Sequence, residues 1–247
     1  MNGTATKGTH HLAIHCLDAT MSDLAHFGTV LVIAPHPDDE ILGCGGTMAR
    51  LTDAGNRVVV AVVTKGQAPA FDPAFVAQVR DELAAAHNVI GVNEVRFLDL
   101  PAAAMDTLAG ATINSAFDTL VRDIQPDTMF VPFIGDIHTD HQLAFTGAMV
   151  AARPRNATIP LRIFAYETLS ETNWYAPGIT PAFLPNLYIE ISATIDRKLA
   201  AFRCFSSQVR DFPDERSIRA IEALATLRGA AVYRDSAEAF MVIRQIE

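Results

Sequence analysis

From residue 29 to residue 151 the chain alternates between short, unbroken apolar runs and longer segments whose apolar residues recur at helical spacing. TVLVIAP (29–35) reads as a buried strand closed by proline, and Glu40 to Ala54 as the helix behind it, with Gly55 as its stop. RVVVAVVT (57–64) is a second strand, of the continuous apolar kind that parallel sheets bury on both faces. Ala74 to Ile90, ending at Gly91, is a second helix, and EVRFLDL (94–100) a third strand. Ala111 to Ile124 is a helix, TMFVPF (128–133) a fourth strand, and Asp140 to Ala151 another helix. The remainder is less regular. RIFAYETL (162–169) and LYIEIS (187–192) read as strands, Thr194 to Phe205 and Pro213 to Arg228 as helices, and AFMVIR (239–244) as a closing strand.

This alternation predicts an α/β fold: a Rossmann-like, doubly wound, mostly parallel sheet with helices on both faces and ligands at the carboxyl ends of the strands. No linker, repeat or low-complexity stretch interrupts it. Residues 29–247 are therefore expected to form a single domain, and residues 1–28 an N-terminal extension, packed on that domain or mobile.

Bulk composition narrows the function classes. Half of the 247 residues are hydrophobic, enough for a large core. The formal charge of −9 argues against a broad grip on nucleic acid, which draws on clustered Lys and Arg. Three widely spaced cysteines, Cys16, Cys44 and Cys204, suggest neither a disulfide framework nor a cysteine-based zinc site. The N-terminus lacks a signal peptide's apolar core, and runs such as VVVAVV (58–63) fall far short of the ~20 residues of a membrane span. A cytoplasmic protein without a membrane span is expected, and its apolar content is compatible with a homo-oligomer.

Two polar clusters interrupt this greasy pattern at strand ends. APHPDDEILGCGGT (34–47) places His36, Asp38, Asp39 and Glu40 directly after the first strand. Capping of the following helix offers a plain explanation, since proline and carboxylates suit a helix's first turn. The second cluster, GDIHTDHQLAF, follows the fourth strand and carries Asp136, His138, Asp140 and His141. Two loops at the same edge of a parallel sheet can meet. Together they offer the imidazoles and carboxylates with which catalytic zinc is held by three protein ligands and an open position. Such a site makes a nucleophile from water near neutral pH and polarises a carbonyl. His36, Asp39 and His141 can reach one ion, leaving Asp38 and His138 for acid–base work.

HPDDE paired with a downstream HxDH resembles the PIG-L/LmbE-like family of zinc-dependent N-acetylglucosaminyl deacetylases. The likeness runs over residues 29 to 245: GGT (45–47), RDELAAAHNVIGVNEVRFLDL (80–100), KLAAFRCFSSQ (198–208) and the terminal AEAFMVIR all have counterparts in the family's pattern. The resemblance implies that His36, Asp39 and His141 ligate Zn²⁺, with Fe²⁺ as an alternative on such nitrogen and oxygen ligands. It implies Asp38 as general base and His138, as imidazolium, as stabiliser of the oxyanion or proton donor to the leaving amine. Asp140 would orient a histidine from behind, and Asp136 would hold His138. Arg80 is a candidate substrate or loop anchor. Trp174 and Tyr175 are candidates for a sugar-facing wall or for aromatics that merely anchor their loop.

Other conspicuous residues receive plainer readings. His10, His11 and His15 read as a solvated surface segment, and His26 and His87 as surface or partly buried residues. Cys44 reads as packing. Gly43, Gly45 and Gly46 match no phosphate loop and read as permitting close helix–sheet approach.

The function expected is a metal-dependent hydrolase that removes acetate from an N-acetylated amino sugar or related glycoconjugate, a small-molecule substrate. Two alternatives stand beside it: an amidase for a larger N-acyl or thiol-conjugate amide, and a non-catalytic sugar or nucleotide binder on the same fold. Specificity is expected in the irregular segments around 66–73, 101–110 and 170–186, where no motif names a sugar.

Overall fold

The computed structural model describes residues 21–155, 158–174, 176 and 178–246. Seven strands form one sheet, in the order β3-β2-β1-β4-β5-β7-β6. In chain order they are β1 (Thr29–Ala34), β2 (Arg57–Lys65), β3 (Glu94–Pro101), β4 (Thr128–Pro132), β5 (Arg162–Tyr166), β6 (Leu187–Glu190) and β7 (Ala237–Gln245). The first five are parallel neighbours, and β7 runs antiparallel between β5 and β6. Six α-helices accompany them: α1 (Asp39–Asp53), α2 (Pro73–Ile90), α3 (Gly110–Ile124), α4 (Thr139–Ala151), α5 (Ile195–Arg203) and α6 (Ile218–Ala230).

Strand alternation sorts the core into two layers. On β1, Val30, Val32 and Ala34 face the layer containing α1, α2, α5 and α6, whereas Leu31 and Ile33 face the layer containing α3 and α4. Both faces of the central strands are buried, which is why β1 and β2 read as unbroken apolar runs rather than as alternating ones. The expected doubly wound architecture is present. Among the described residues, no helix is long and apolar enough to cross a membrane.

Element boundaries differ from the sequence reading mainly in the C-terminal third. α6 begins at Ile218, because Ser217 caps it by accepting from Ala220 N at 3.2 Å, whereas the helical pattern extends back to Pro213. The segment Met21–Phe27 is a 3-10 helix that packs on the domain. Leu24 is buried, and the Phe27 ring stacks on Phe130 with centroids 6.5 Å apart. His10, His11 and His15 lie outside the described residues, as does Tyr175.

α1 lies unusually close to the sheet. A Cβ on Gly43 would come within 2.2 Å of the Tyr166 ring, and one on Gly46 within 2.7 Å of Ile191. A buried ion pair locks the helix from its other side. Lys198 Nζ contacts Glu238 Oε1 at 2.6 Å and donates to Leu42 C=O at 2.8 Å. Glu238 accepts from Gly46 N and Thr47 N at 3.0 and 2.7 Å. The C-terminal strand thus fixes the helix whose first turn carries the polar cluster.

Candidate active site

In a sheet of order 3-2-1-4-5 the chain reverses its direction of winding between β1 and β4, and the crevice outside their carboxyl ends is the usual ligand site. β1 and β4 are hydrogen-bonded neighbours, with Val32 opposite Phe130. The loops that leave them carry HPDDE and DIHTDH, so sheet topology alone brings the two clusters together.

The residues of the first cluster separate into distinct jobs. Asp38 occupies the left-handed region at φ 116°, a strained conformation for a non-glycine residue. Its backbone caps α1, accepting from Ile41 N and Leu42 N at 3.0 and 2.9 Å, but its side chain makes no cap. The carboxylate instead meets Arg216 Nη1 at 3.1 Å, so capping does not explain this side chain. Glu40 is fully buried and pairs with His87 Nε2 at 2.9 Å, a structural contact that places His87 in the interior rather than at the surface. Asp39 turns toward the histidines.

Asp39 Oδ2 accepts from His36 N at 2.8 Å and lies 3.3 Å from His36 Nδ1 and 3.2 Å from His141 Nε2. His36, Asp39 and His141 offer ligand atoms that all lie within 4.8 Å of one another. Behind them, His141 Nδ1 lies 2.9 Å from Asp136 Oδ2, whose other oxygen accepts from Thr172 Oγ1 at 2.7 Å. His36 Nε2 lies 3.2 Å from Asp140 Oδ2, which also accepts from Ala103 N at 2.7 Å.

These residues fit a divalent cation. Asp39 Oδ1 and His141 Nε2 are buried without a hydrogen-bond partner, an expensive state that coordination would relieve. Asp136 holds a proton on His141 Nδ1, which leaves the Nε2 lone pair free to coordinate. Asp136 therefore serves His141 and not His138, the partner expected from sequence. The two histidines sit one turn apart on α4, and the inner one faces the loop that carries Asp136.

Without a cation the cluster holds strongly displaced protons. Burial alone would lower the pKa of His36, but the carboxylates of Asp140 and Asp39 outweigh it and carry the imidazole up to about 9. His141 is likewise carried up to about 10, by Asp39 and Asp136 acting against burial. Burial would raise Asp39, yet the same two imidazoles hold it well below the usual carboxylate range. Burial pushes the Asp38 carboxyl up to about 8, against the lowering pull of Arg216.

His138 departs from the sequence expectation. It is the N-cap of α4, and its Nδ1 accepts a hydrogen bond from Asp140 N at 3.1 Å. A nitrogen that accepts from a backbone N–H carries no proton, so this geometry selects a neutral imidazole protonated at Nε2. Burial, then the nearby His36, also lower its pKa. The imidazolium expected from sequence is not the form this arrangement favours.

His36, Asp38 and His138 open into a cleft of ≈ 260 Å³. Its far wall includes Arg80, whose guanidinium pairs with Asp99 and lies 4.2 Å over the Phe97 ring. Trp174 is not among the cleft residues. Its indole is exposed and Nε1 donates to Glu215 Oε2 at 3.2 Å, which is a loop-anchoring contact.

Arg216 escaped the sequence reading. Besides Asp38 it donates to Gln208 Oε1 at 3.0 Å and to Ser170 Oγ at 3.1 Å, and it lines the cleft. No local pattern marks an arginine before a helix as special. Only its position in the fold does.

A family model described as "PIG-L: GlcNAc-PI de-N-acetylase" matches residues 31–152. The chain belongs to the PIG-L family. Among its relatives, a diacetylchitobiose deacetylase of Thermococcus kodakarensis is 29% identical over an alignment covering 75% of this chain and 71% of that protein. A 1D-myo-inositol 2-acetamido-2-deoxy-alpha-D-glucopyranoside deacetylase of Kineococcus radiotolerans is 28% identical, covering 73% and 68% respectively. The crystal structure of the conserved protein TT1542 from Thermus thermophilus superposes on this PIG-L chain with a TM-score of 0.71 at 26% identity, covering 88% of this chain and 96% of that one.

Proposed function

We propose that this PIG-L protein is a metal-dependent hydrolase that removes the acetyl group from an N-acetylated amino sugar or a glycoconjugate of one. The observation that carries the reading is the pair of orphaned, buried ligand atoms, Asp39 Oδ1 and His141 Nε2, beside a carboxylate that is not part of the same set. The substrates named for the relatives, diacetylchitobiose and an acetamido-deoxyglucopyranoside, supply the chemical class.

His36, Asp39 and His141 would hold the cation, Zn²⁺ by preference for nitrogen and oxygen ligands, with Fe²⁺ also accommodated. A divalent cation bound there polarises an amide carbonyl and acidifies water. Asp38 takes the proton of the attacking water. Its desolvation raises its basicity, and Arg216 keeps it aimed at the cleft. His138 presents an Nε2–H to the oxygen that gains negative charge, as a neutral donor fixed by its Nδ1 bond to the backbone. The proton held by Asp38 is then returned to the departing nitrogen, which would otherwise leave as an unstable amide anion. Each acid–base step of this kind contributes ~10²–10⁴-fold.

The test is acetate release from N-acetylglucosamine and diacetylchitobiose by the purified chain, before and after chelation. Release that stops on chelation and returns with Zn²⁺ supports the reading. Undiminished release from metal-free protein, or none from a broad N-acyl panel with metal bound, excludes it.

A further inference from the structure

The cleft has two chemically different ends. His36, Asp38, His138 and Arg216 make the polar end, while Phe71, Phe75, Val76, Val79 and Phe97 make an apolar wall. Phe75 and Phe97 are 39% and 41% exposed, although Phe117, Phe130, Phe164, Phe202 and Phe240 are all buried in the core. Two phenylalanines left partly in water at the mouth of a reactive cleft are not explained by folding, which gains only from burying them.

The wall is also built to stay in place. A Cβ on Gly66 would lie 2.7 Å from the Phe71 ring, so the absence of a side chain there lets that ring seat against the loop after β2. The Arg80 guanidinium covers the Phe97 ring and is itself paired with Asp99, so it braces the aromatic rather than offering a free charge. An unsubstituted amino sugar presents hydroxyls, and these find few partners along this wall. Ligand sites of this composition bind apolar groups and use their few polar residues for orientation.

We infer that the apolar wall is a subsite for an alkyl or aryl group carried by the substrate, an inference that rests on the deacetylase reading. Such a group has two sources: an acyl chain longer than acetyl, or an apolar aglycone linked to the sugar.

The experiment compares kcat/KM of the metal-loaded protein on N-acetylglucosamine, on its phenyl and hexyl glycosides, and on N-hexanoylglucosamine. At least one substituted arm should exceed N-acetylglucosamine by ~10-fold or more, and which arm does so identifies the source. In Phe75→Ser combined with Phe97→Ser that ratio should fall toward one. Because the readout is a ratio, a general loss of active protein cancels. Equal kcat/KM in all arms, or an unchanged ratio in the variant, overturns the subsite. A second readout needs neither turnover nor a variant: phenyl β-glucoside, which has no amide, is titrated into the isotopically labelled full chain and followed by NMR. Saturable shifts of cleft amides support the subsite, and no binding overturns it. Binding without turnover of any N-acyl compound keeps the subsite and removes the deacetylase reading. Turnover without apolar preference does the reverse.

Discussion

Arg216 Nη1 meets Asp38 Oδ2 at 3.1 Å, joining two segments 178 residues apart in the chain. The same guanidinium donates to Ser170 Oγ and Gln208 Oε1, so it is gripped from several directions and can hold the carboxylate still. A base positioned this way needs no rearrangement as the reaction proceeds.

Asp38→Asn should lower kcat by ~10²–10⁴-fold, because an amide cannot take the proton of water. Cation content should not change, since Asp38 is absent from the converging ligand set. Acetate release measured beside metal analysis of the same sample checks both halves. Parallel loss of metal and activity would make Asp38 a ligand and remove it as the base.

Arg216→Gln should reduce kcat by ~10²-fold with a smaller change in KM, the expected result of misplacing a reacting group. Arg216→Lys should not restore the rate. An ammonium lacks the planar fork that serves Asp38, Gln208 and Ser170 together. Partial rescue of Arg216→Ala by added guanidinium, with no rescue by ammonium, is the decisive comparison. A KM effect alone would assign Arg216 to substrate binding.

Asp136→Asn should weaken cation affinity by ~10–100-fold, because it no longer fixes the proton on His141 Nδ1. Competition against a chromogenic chelator measures this directly. If affinity stayed at the wild-type level while Asp136→Asn slowed turnover, the role of Asp136 would lie elsewhere.

Local signals made much of this legible. The proline-ended strand β1, the helix starts at both polar clusters and the unbroken apolar strands are patterns within a few residues, and from them the sheet class follows. What brings His36 to His141 is the adjacency of β1 and β4, which the strand–helix alternation implies. The unread parts depend on distant partners. Glu40 looks like another catalytic acid until His87, 47 residues on, is seen to neutralise it. The HPDDE carboxylates cannot announce Arg216, and a histidine's tautomer depends on which nitrogen meets the backbone. Trp174 stands out by rarity, which carries no information about direction.

Removing one member of the buried Lys198–Glu238 pair should be costly. Glu238→Leu strands an ammonium and leaves Gly46 N and Thr47 N without their acceptor, and should destabilise the fold by ~3–5 kcal/mol. Lys198→Met combined with Glu238→Leu should recover part of that loss, since the stranded charge goes with its partner. Denaturant unfolding of the three proteins measures the difference. A double variant no better than the single one would show that the helix contacts, and not the ion pair, dominate.

Glu82 gives a pH dependence that reaches the site from outside it. The carboxylate, on α2, accepts from Gln78 Nε2, Ser206 Oγ, Ser207 N and Ser207 Oγ. It thereby pins the segment that carries Gln208 against the rest of the cleft. Burial alone would raise the Glu82 pKa, but these donors outweigh it and hold the carboxyl below its ordinary value of 4.5. A depressed folded-state pKa stabilises the fold above the unfolded value, and that stabilisation disappears as pH falls through the folded one. Wild type should therefore exceed Glu82→Gln in stability by ~1–3 kcal/mol at pH 7, the range for hydrogen bonds to a charged group, and the gap should narrow below about pH 4.5 as Glu82 protonates. Urea unfolding of both proteins across that range tests the sign. A gap that widens on acidification would mean that the donors favour the protonated acid, and the 206–208 segment would then be held by neutral hydrogen bonds.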